Sequence, residues 1–84
     1  MSEAQKTRVT FYTKAGCHLC EEVRDMLEDI AALTHYELTE IDIRSNSDIF
    51  EQYRYRIPVL LIDNDTLLEG RISFRDLAEV FRLG

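Results

Sequence analysis

The stretch "YTKAGCHLCEEVRDML", Tyr12 to Leu27, holds both cysteines of the chain, Cys17 and Cys20, three residues apart. Gly16 stands directly before the first of them, and from Cys17 onward the pattern takes a helical period. Leu19, Val23, Met26, Leu27, Ile30 and Leu33 recur on one helix face, with Glu21, Glu22, Arg24, Asp25, Glu28 and Asp29 between them. The spacing predicts a helix of about four turns opening at Cys17. A thiol placed there faces amide N–H groups without intrahelical partners and the positive end of the helix dipole. Such thiols can ionise with pKa values of about 3.5–7.5. Cys20 falls on the same face one turn further in, close enough to close a disulfide. The pair is therefore read as redox-active. Cys17 attacks a substrate disulfide, and Cys20 resolves the mixed disulfide by exchange.

Neighbouring charges bear on that thiolate. Lys14 adds a positive charge, and His18 adds another when protonated. Glu21 and Glu22 oppose ionisation. Exposed on the helix, they are screened, so the dipole and Lys14 are expected to prevail.

Upstream, "RVTFY" (Arg8–Tyr12) alternates Val9 and Phe11 with polar or aromatic neighbours and reads as a strand. Downstream, "YELTEIDI" (Tyr36–Ile43) is strand-like, although its alternation changes phase between Leu38 and Ile41. Asn46 or Ser47 can cap a short helix that runs to Tyr53 or Arg54. "PVLLI" (Pro58–Ile62) is apolar on both faces, as a central strand requires. "DND" (Asp63–Asp65) is a turn, and "TLLEG" pairs back as an antiparallel strand. "SFRD" (Ser73–Asp76) fits a capping box for a last helix carrying Phe74, Leu77, Ala78 and Phe81 on one face. The fold class is α/β, in the order β-α-β-α-β-β-α. A four-stranded mixed sheet of order 2-1-3-4 is expected, with helices on both faces and the final two strands antiparallel to the first. The 84 residues make one domain, 1–84, with 1–7 a frayed polar lead-in.

The only proline, Pro58, opens the buried run, where its missing N–H costs no ladder bond. X–Pro is also the bond at which cis is accessible. A cis Ile57–Pro58 bond is expected to turn the Ile57 N–H and C=O outward toward an extended substrate. Gly70 is expected to need a positive φ. His35 reads as a surface turn residue, and Tyr12, Tyr53 and Tyr55 as core or rim packing.

A C-x-x-C after the first strand and Ile57–Pro58 opening a later one resemble the thioredoxin superfamily. Within it, "FYTKAGCHLC" and "YRIPVLLIDN…LLEG" resemble glutaredoxin, and most closely the small bacterial glutaredoxin-like proteins, from about Arg8 to Phe81. The resemblance implies Cys17 as nucleophile and Cys20 as resolving thiol. It further implies Lys14 as a thiolate or glutathione-carboxylate contact and Ile57–Pro58 as the substrate dock, with His18 and Gly70 lining the substrate side. No bound cofactor is implied, and glutathione would serve as a co-substrate. The partners implied are a disulfide-containing protein or a glutathione mixed disulfide, with a reductase as a further candidate. Two departures stand out. His18-Leu19 replaces the usual Pro-Tyr between the cysteines. Gly70 stands alone where the family has Gly-Gly, flanked by Glu69, which would repel the glutathione carboxylates, and Arg71, which would attract one.

Other classes are weighed on charge and ligand count. A formal net charge of −6, with no basic cluster beyond "RYR" at Arg54–Arg56, argues against nucleic acid. No apolar run is long enough to span a bilayer, and "MSEAQKTR" has no apolar h-region. The expectation is a soluble, cytoplasmic monomer. A zinc site would need two ligands besides the cysteines, and only His18 and His35 are on offer, so no metal is assigned. Two alternatives stay open: a thioredoxin-fold module that docks a peptide or thiol partner without turnover, and an iron–sulfur carrier at a dimer interface.

Overall fold

The computed structural model describes residues 6–83. Strand β1 (Thr7–Thr13) leads through a short loop into helix α1 (His18–Ala31), and β2 (Tyr36–Asp42) follows. A 3-10 turn (Ile43–Ser45) and helix α2 (Ser47–Tyr53) connect to the hairpin of β3 (Val59–Ile62) and β4 (Thr66–Glu69). Helix α3 (Phe74–Val80) closes the order. Part of the expected lead-in, residues 1–5, lies outside the described residues, but Thr7 is the first residue of β1 and pairs with Tyr36.

The sheet order is β2-β1-β3-β4, as expected. β1 and β2 are parallel, with Thr7 opposite Tyr36 and Thr13 opposite Asp42. β3 is antiparallel to β1, with Tyr12 opposite Val59. β4 is antiparallel to β3. The expectation that both final strands oppose β1 is therefore corrected. A hairpin reverses the chain again, so β3 alone opposes β1 and β4 runs parallel to it.

Alternation along β1 and β3 divides the apolar residues between two faces. Val9, Phe11, Leu60 and Ile62 pack with Cys20, Val23, Leu27 and Ile30 of α1, Ile72, and Leu77 of α3. Each such side chain contributes about 1.5–3 kcal/mol when fully buried. On the other face Tyr12 meets Tyr53 of α2, with ring centroids 4.3 Å apart and planes 23° from parallel. Helices thus cover both faces of the sheet.

Leu33, expected on the buried stripe of α1, is 64% exposed. The helix ends at Ala31, and the Ala32 and Leu33 N–H groups donate three residues back, to Asp29 and Ile30, so the last turn tightens and Leu33 leaves the α-helical period. Phe74, the first residue of α3, is 41% exposed, while Leu77 carries the packing of that helix. Asp63 and Asn64 take positive φ in the hairpin turn, a conformation that Asp and Asn tolerate. Asn46 caps α2 through the N–H groups of Asp48 and Ile49. The Ser73 hydroxyl accepts from Asp76 N–H at 3.1 Å, and Ser73 N–H donates back to the Asp76 carboxylate at 3.0 Å.

The capping box gives the first testable consequences. Ser73→Ala should lower stability to urea by about 0.5–2 kcal/mol. The Ser73 backbone N–H, and then its side chain, hold the Asp76 carboxyl below its ordinary range. A depressed carboxyl stabilises the fold above its unfolded value of about 3.9 and loses that contribution as pH falls through the folded value. Asp76→Ala should therefore be less stable than wild type near neutrality, with the gap closing below about pH 3.9. Urea titrations at pH 7 and pH 3 read both effects.

Candidate redox site

Four chain segments meet at one end of the sheet. These are the carboxyl ends of β1, β2 and β4 and the amino end of β3, because β3 alone runs the other way. The loop after β1 turns at Gly16, whose φ of +80° is one that glycine adopts without strain. Cys17 N–H donates to the Lys14 carbonyl at 3.3 Å and closes this turn.

Cys17 is the N-cap of α1, one residue before the helix proper, with extended φ −94° and ψ 107°. Its Sγ accepts the backbone N–H of Cys20 at 3.2 Å, and its carbonyl accepts from Glu21 N–H at 3.1 Å. The sulfur therefore fills the place of the usual capping oxygen and meets a free amide of the first turn. Cys17 and Cys20 are joined as a disulfide, with Cα atoms 5.2 Å apart. Cys17 is half-buried, whereas Cys20 is 1% exposed and belongs to the main core. Only the first sulfur is open to a large partner.

Lys14 is half-buried and reaches toward the end of β2. The Asp42 carboxyl there is held below its usual range, chiefly by hydrogen bonds from the Arg44 side chain and backbone N–H, with Lys14 adding a smaller pull. His18 is exposed, and its Nε2 lies 3.0 Å from the Glu22 carboxylate one turn on. The ring is thus directed along the helix. When protonated, it offsets one of the two acids that oppose a thiolate.

Pro58 is buried and directly precedes Val59, the first residue of β3, which lies opposite Tyr12. The Ile57–Pro58 bond is cis. Ile57 and Cys17 both pack on the rim of the same core. The expectation that both Ile57 backbone groups face outward is corrected. Ile57 N–H donates to the Tyr53 carbonyl at 3.1 Å, alongside Arg56 N–H at 2.8 Å. A helix leaves its last carbonyls unpaired, and the turn after α2 satisfies one of them with these two donors. The Ile57 carbonyl receives no such bond among the described residues.

Gly70 has φ +72°, and its N–H is shared between the carbonyls of Pro58 at 2.9 Å and Arg56 at 3.2 Å. Glu69, expected to repel anions, is engaged. Arg56 Nε lies 2.6 Å from one of its oxygens and Nη2 3.5 Å from the other. Arg71 is exposed and pairs with no acid among the described residues. The sequence reading missed the group formed by Glu69, Arg56, Tyr53 and Tyr12. The Arg56 guanidinium also lies over the Tyr53 ring, 5.1 Å from its centroid. Burial, and then Tyr53, push the Tyr12 phenol up, so it stays neutral. The signal was the hairpin itself, because Arg56 and Glu69 flank its open end.

Among the described residues, no group of three His, Cys, Asp or Glu side chains is placed to hold a metal ion. No helix among them is long and apolar enough to cross a membrane. A polar cleft lined by Lys6, Arg8, Glu37, Asp63 and Asn64 lies at the opposite end of the sheet from the cysteines.

The sheet order, the helices on both faces and a dithiol at the start of the first helix define a protein of thioredoxin fold. Residues 8–82 match the model of the glutaredoxin-like domain (DUF836), and the chain belongs to that family. A glutaredoxin-like protein YDR286C homolog from Dictyostelium discoideum is 24% identical over 92 residues, covering 98% of this chain and 85% of its own. The solution structure of protein Ne2328 from Nitrosomonas europaea is 27% identical with a TM-score of 0.74, covering 96% of each chain. A mutant thioredoxin from Halobacterium salinarum shares the fold at a TM-score of 0.70 and 19% identity, covering 89% of this chain and 71% of its own.

The unequal burial of the two sulfurs has a direct readout. When the reduced protein meets limiting iodoacetamide, peptide mapping should find Cys17 alkylated well before Cys20. Equal labelling of the folded protein would contradict the placement of Cys20 in the core.

Proposed function

We propose that this protein is a dithiol–disulfide oxidoreductase of glutaredoxin-like type. One observation carries the reading. The Cys17 sulfur caps α1 and accepts the Cys20 amide, within bonding reach of the Cys20 sulfur. In the reduced protein the same amide and the helix dipole favour the Cys17 thiolate.

The Cys17 thiolate attacks one sulfur of a substrate disulfide. The S–S bond breaks, and the departing thiolate takes up a proton. The mixed disulfide on Cys17 is then attacked by the Cys20 thiolate, releasing the second substrate thiol and leaving the Cys17–Cys20 disulfide. The substrate gains two electrons and two protons, and the protein is oxidised by the same two electrons. An external thiol or a reductase restores the dithiol.

In this reading Lys14 supports the thiolate, and the Ile57–Pro58 segment docks the substrate through the Ile57 carbonyl. Gly70 and His18 border the approach. The cysteines need no bound cofactor. The substrate class is a protein disulfide or a glutathione mixed disulfide, with glutathione or a reductase as the electron source. A reducing compartment, the cytoplasm, suits this direction of exchange. Pairing of Glu69 with Arg56 removes one anion that would oppose glutathione.

Cys17→Ser should abolish reduction of a glutathione mixed disulfide. Cys20→Ser should accumulate the mixed disulfide or retain only a monothiol activity. Full activity in both variants would overturn the assignment. Running wild type with glutathione or with thioredoxin reductase identifies the donor. A Cys17 pKa clearly below about 8.5, from the pH dependence of alkylation, is expected as well.

A further inference from the structure

Ile57 is held by contacts that the exchange chemistry does not itself require. Arg56, the residue before it, is tied in three directions. Its guanidinium meets the Glu69 carboxylate at the end of β4 through two nitrogens, at 2.6 and 3.5 Å. The same guanidinium lies over Tyr53 at 5.1 Å, and Tyr53 stacks on Tyr12 of β1 at 4.3 Å. Its carbonyl accepts from Gly70 N–H at 3.2 Å, and its own N–H donates to the Tyr53 carbonyl at 2.8 Å. One side chain thus joins β4, the end of α2 and, through two stacked rings, the central strand β1. The backbone it fixes runs directly into Ile57, whose N–H is held by Tyr53 at 3.1 Å and whose carbonyl accepts no hydrogen bond among the described residues.

We propose that Arg56 is a positioning residue, braced by Glu69 and Tyr53, that presents the Ile57 carbonyl as the one backbone contact for an incoming substrate N–H. The proposal rests on the oxidoreductase reading for its substrate and on geometry alone for the brace. A substrate docked through a single acceptor must bring an amide donor beside its reacting sulfur, which selects peptide thiols over simple alkyl thiols. An Arg at this position differs from a Lys because its planar fork meets both carboxylate oxygens while its face covers a ring.

Two measurements on the full chain test it with the variants Arg56→Met, Glu69→Gln and Arg56→Lys. Amide hydrogen exchange needs no turnover. In Arg56→Met, exchange at Ile57 and Gly70 should quicken, with Leu27 and Leu60 unchanged as controls for global stability. Unchanged protection at Ile57 overturns the brace. Kinetics with a cysteine-peptide mixed disulfide supply the second arm. A half-exposed pair holds little energy, so KM should rise by about three- to ten-fold with kcat retained. The pH profile of Cys17 alkylation should stay as in wild type. Glu69→Gln should follow Arg56→Met, and Arg56→Lys should recover part of the loss. An unchanged KM in active protein, or a loss confined to kcat with a displaced pH profile, overturns the positioning role. Absence of turnover in the wild type would instead sink the oxidoreductase reading, and exchange at Ile57 would still decide the brace.

Discussion

The hydrogen bond from the Cys20 amide to the Cys17 sulfur joins folding to chemistry in this protein. Helices are usually capped by Ser, Thr, Asp or Asn, whose oxygens are strong acceptors. A neutral sulfur is a weak one, and a thiolate is much better. At this N-cap the ionised state is therefore the one that best satisfies the first turn of α1. The stabilisation of the helix and of an ionised Cys17 would then be one and the same interaction. A group whose folded pKa is depressed stabilises the fold where it is ionised, so under the proposed function an ionised Cys17 would add to the stability of the domain. In the disulfide the Cys17 sulfur keeps this acceptor role, with a covalent link added across the same turn.

Packing decides which sulfur is open and which is buried. Cys20, Val23, Leu27 and Ile30 form one continuous buried stripe on α1. The stripe fixes the rotation of the helix against Val9, Phe11 and Leu60, and Cys20 is its first member. Cys17 lies one turn earlier, at the cap before the helix begins, where the chain arrives from β1. The asymmetry between an open sulfur and a buried one thus follows from the apolar spacing that forms the helix. The sheet then supplies the opposing wall. Since β3 runs against β1, its entry at Ile57–Pro58 meets the exit of β1, and the dithiol loop leaves from that same point.

Much of this was legible in the residues. The period of "CHLCEEVRDML", the two-faced run "PVLLI" and the "DND" turn are local signals, and each sequence pattern excluded the competing element. The cap at Ser73 was readable, and that of α2 was narrowed to Asn46 or Ser47, because a cap needs only its own short turn. What escaped was relational. Leu33 kept the helical spacing, but a helix ends where its carbonyls find other donors, and spacing does not report that. The direction of β4 relative to β1 depends on counting reversals across the sheet. The inward bond of Ile57 N–H depends on where α2 stops, which sets the carbonyl it meets. Arg56 and Glu69 are thirteen residues apart and neighbours only once the hairpin closes. "RYR" therefore read as a small basic cluster, while its last arginine is a structural tie.

The same pairing alters how charge acts at the site. A net charge of −6 implies an anionic protein, yet the acids around the dithiol are largely matched. Asp42 is held by Arg44, Glu69 by Arg56 and Glu22 by His18 when the ring is protonated. Glu21, in the first turn of α1, has no ion-pair partner among the described residues. Surface charges beyond about 8–10 Å are screened at physiological salt, so the excess acidity of β2 and the far end of the sheet reaches the sulfur only weakly. The field at Cys17 is then set chiefly by near groups, among them the Cys20 amide 3.2 Å from its sulfur. Apart from Glu21, the paired acids would thus offer a Cys17 thiolate less opposition than the net charge implies.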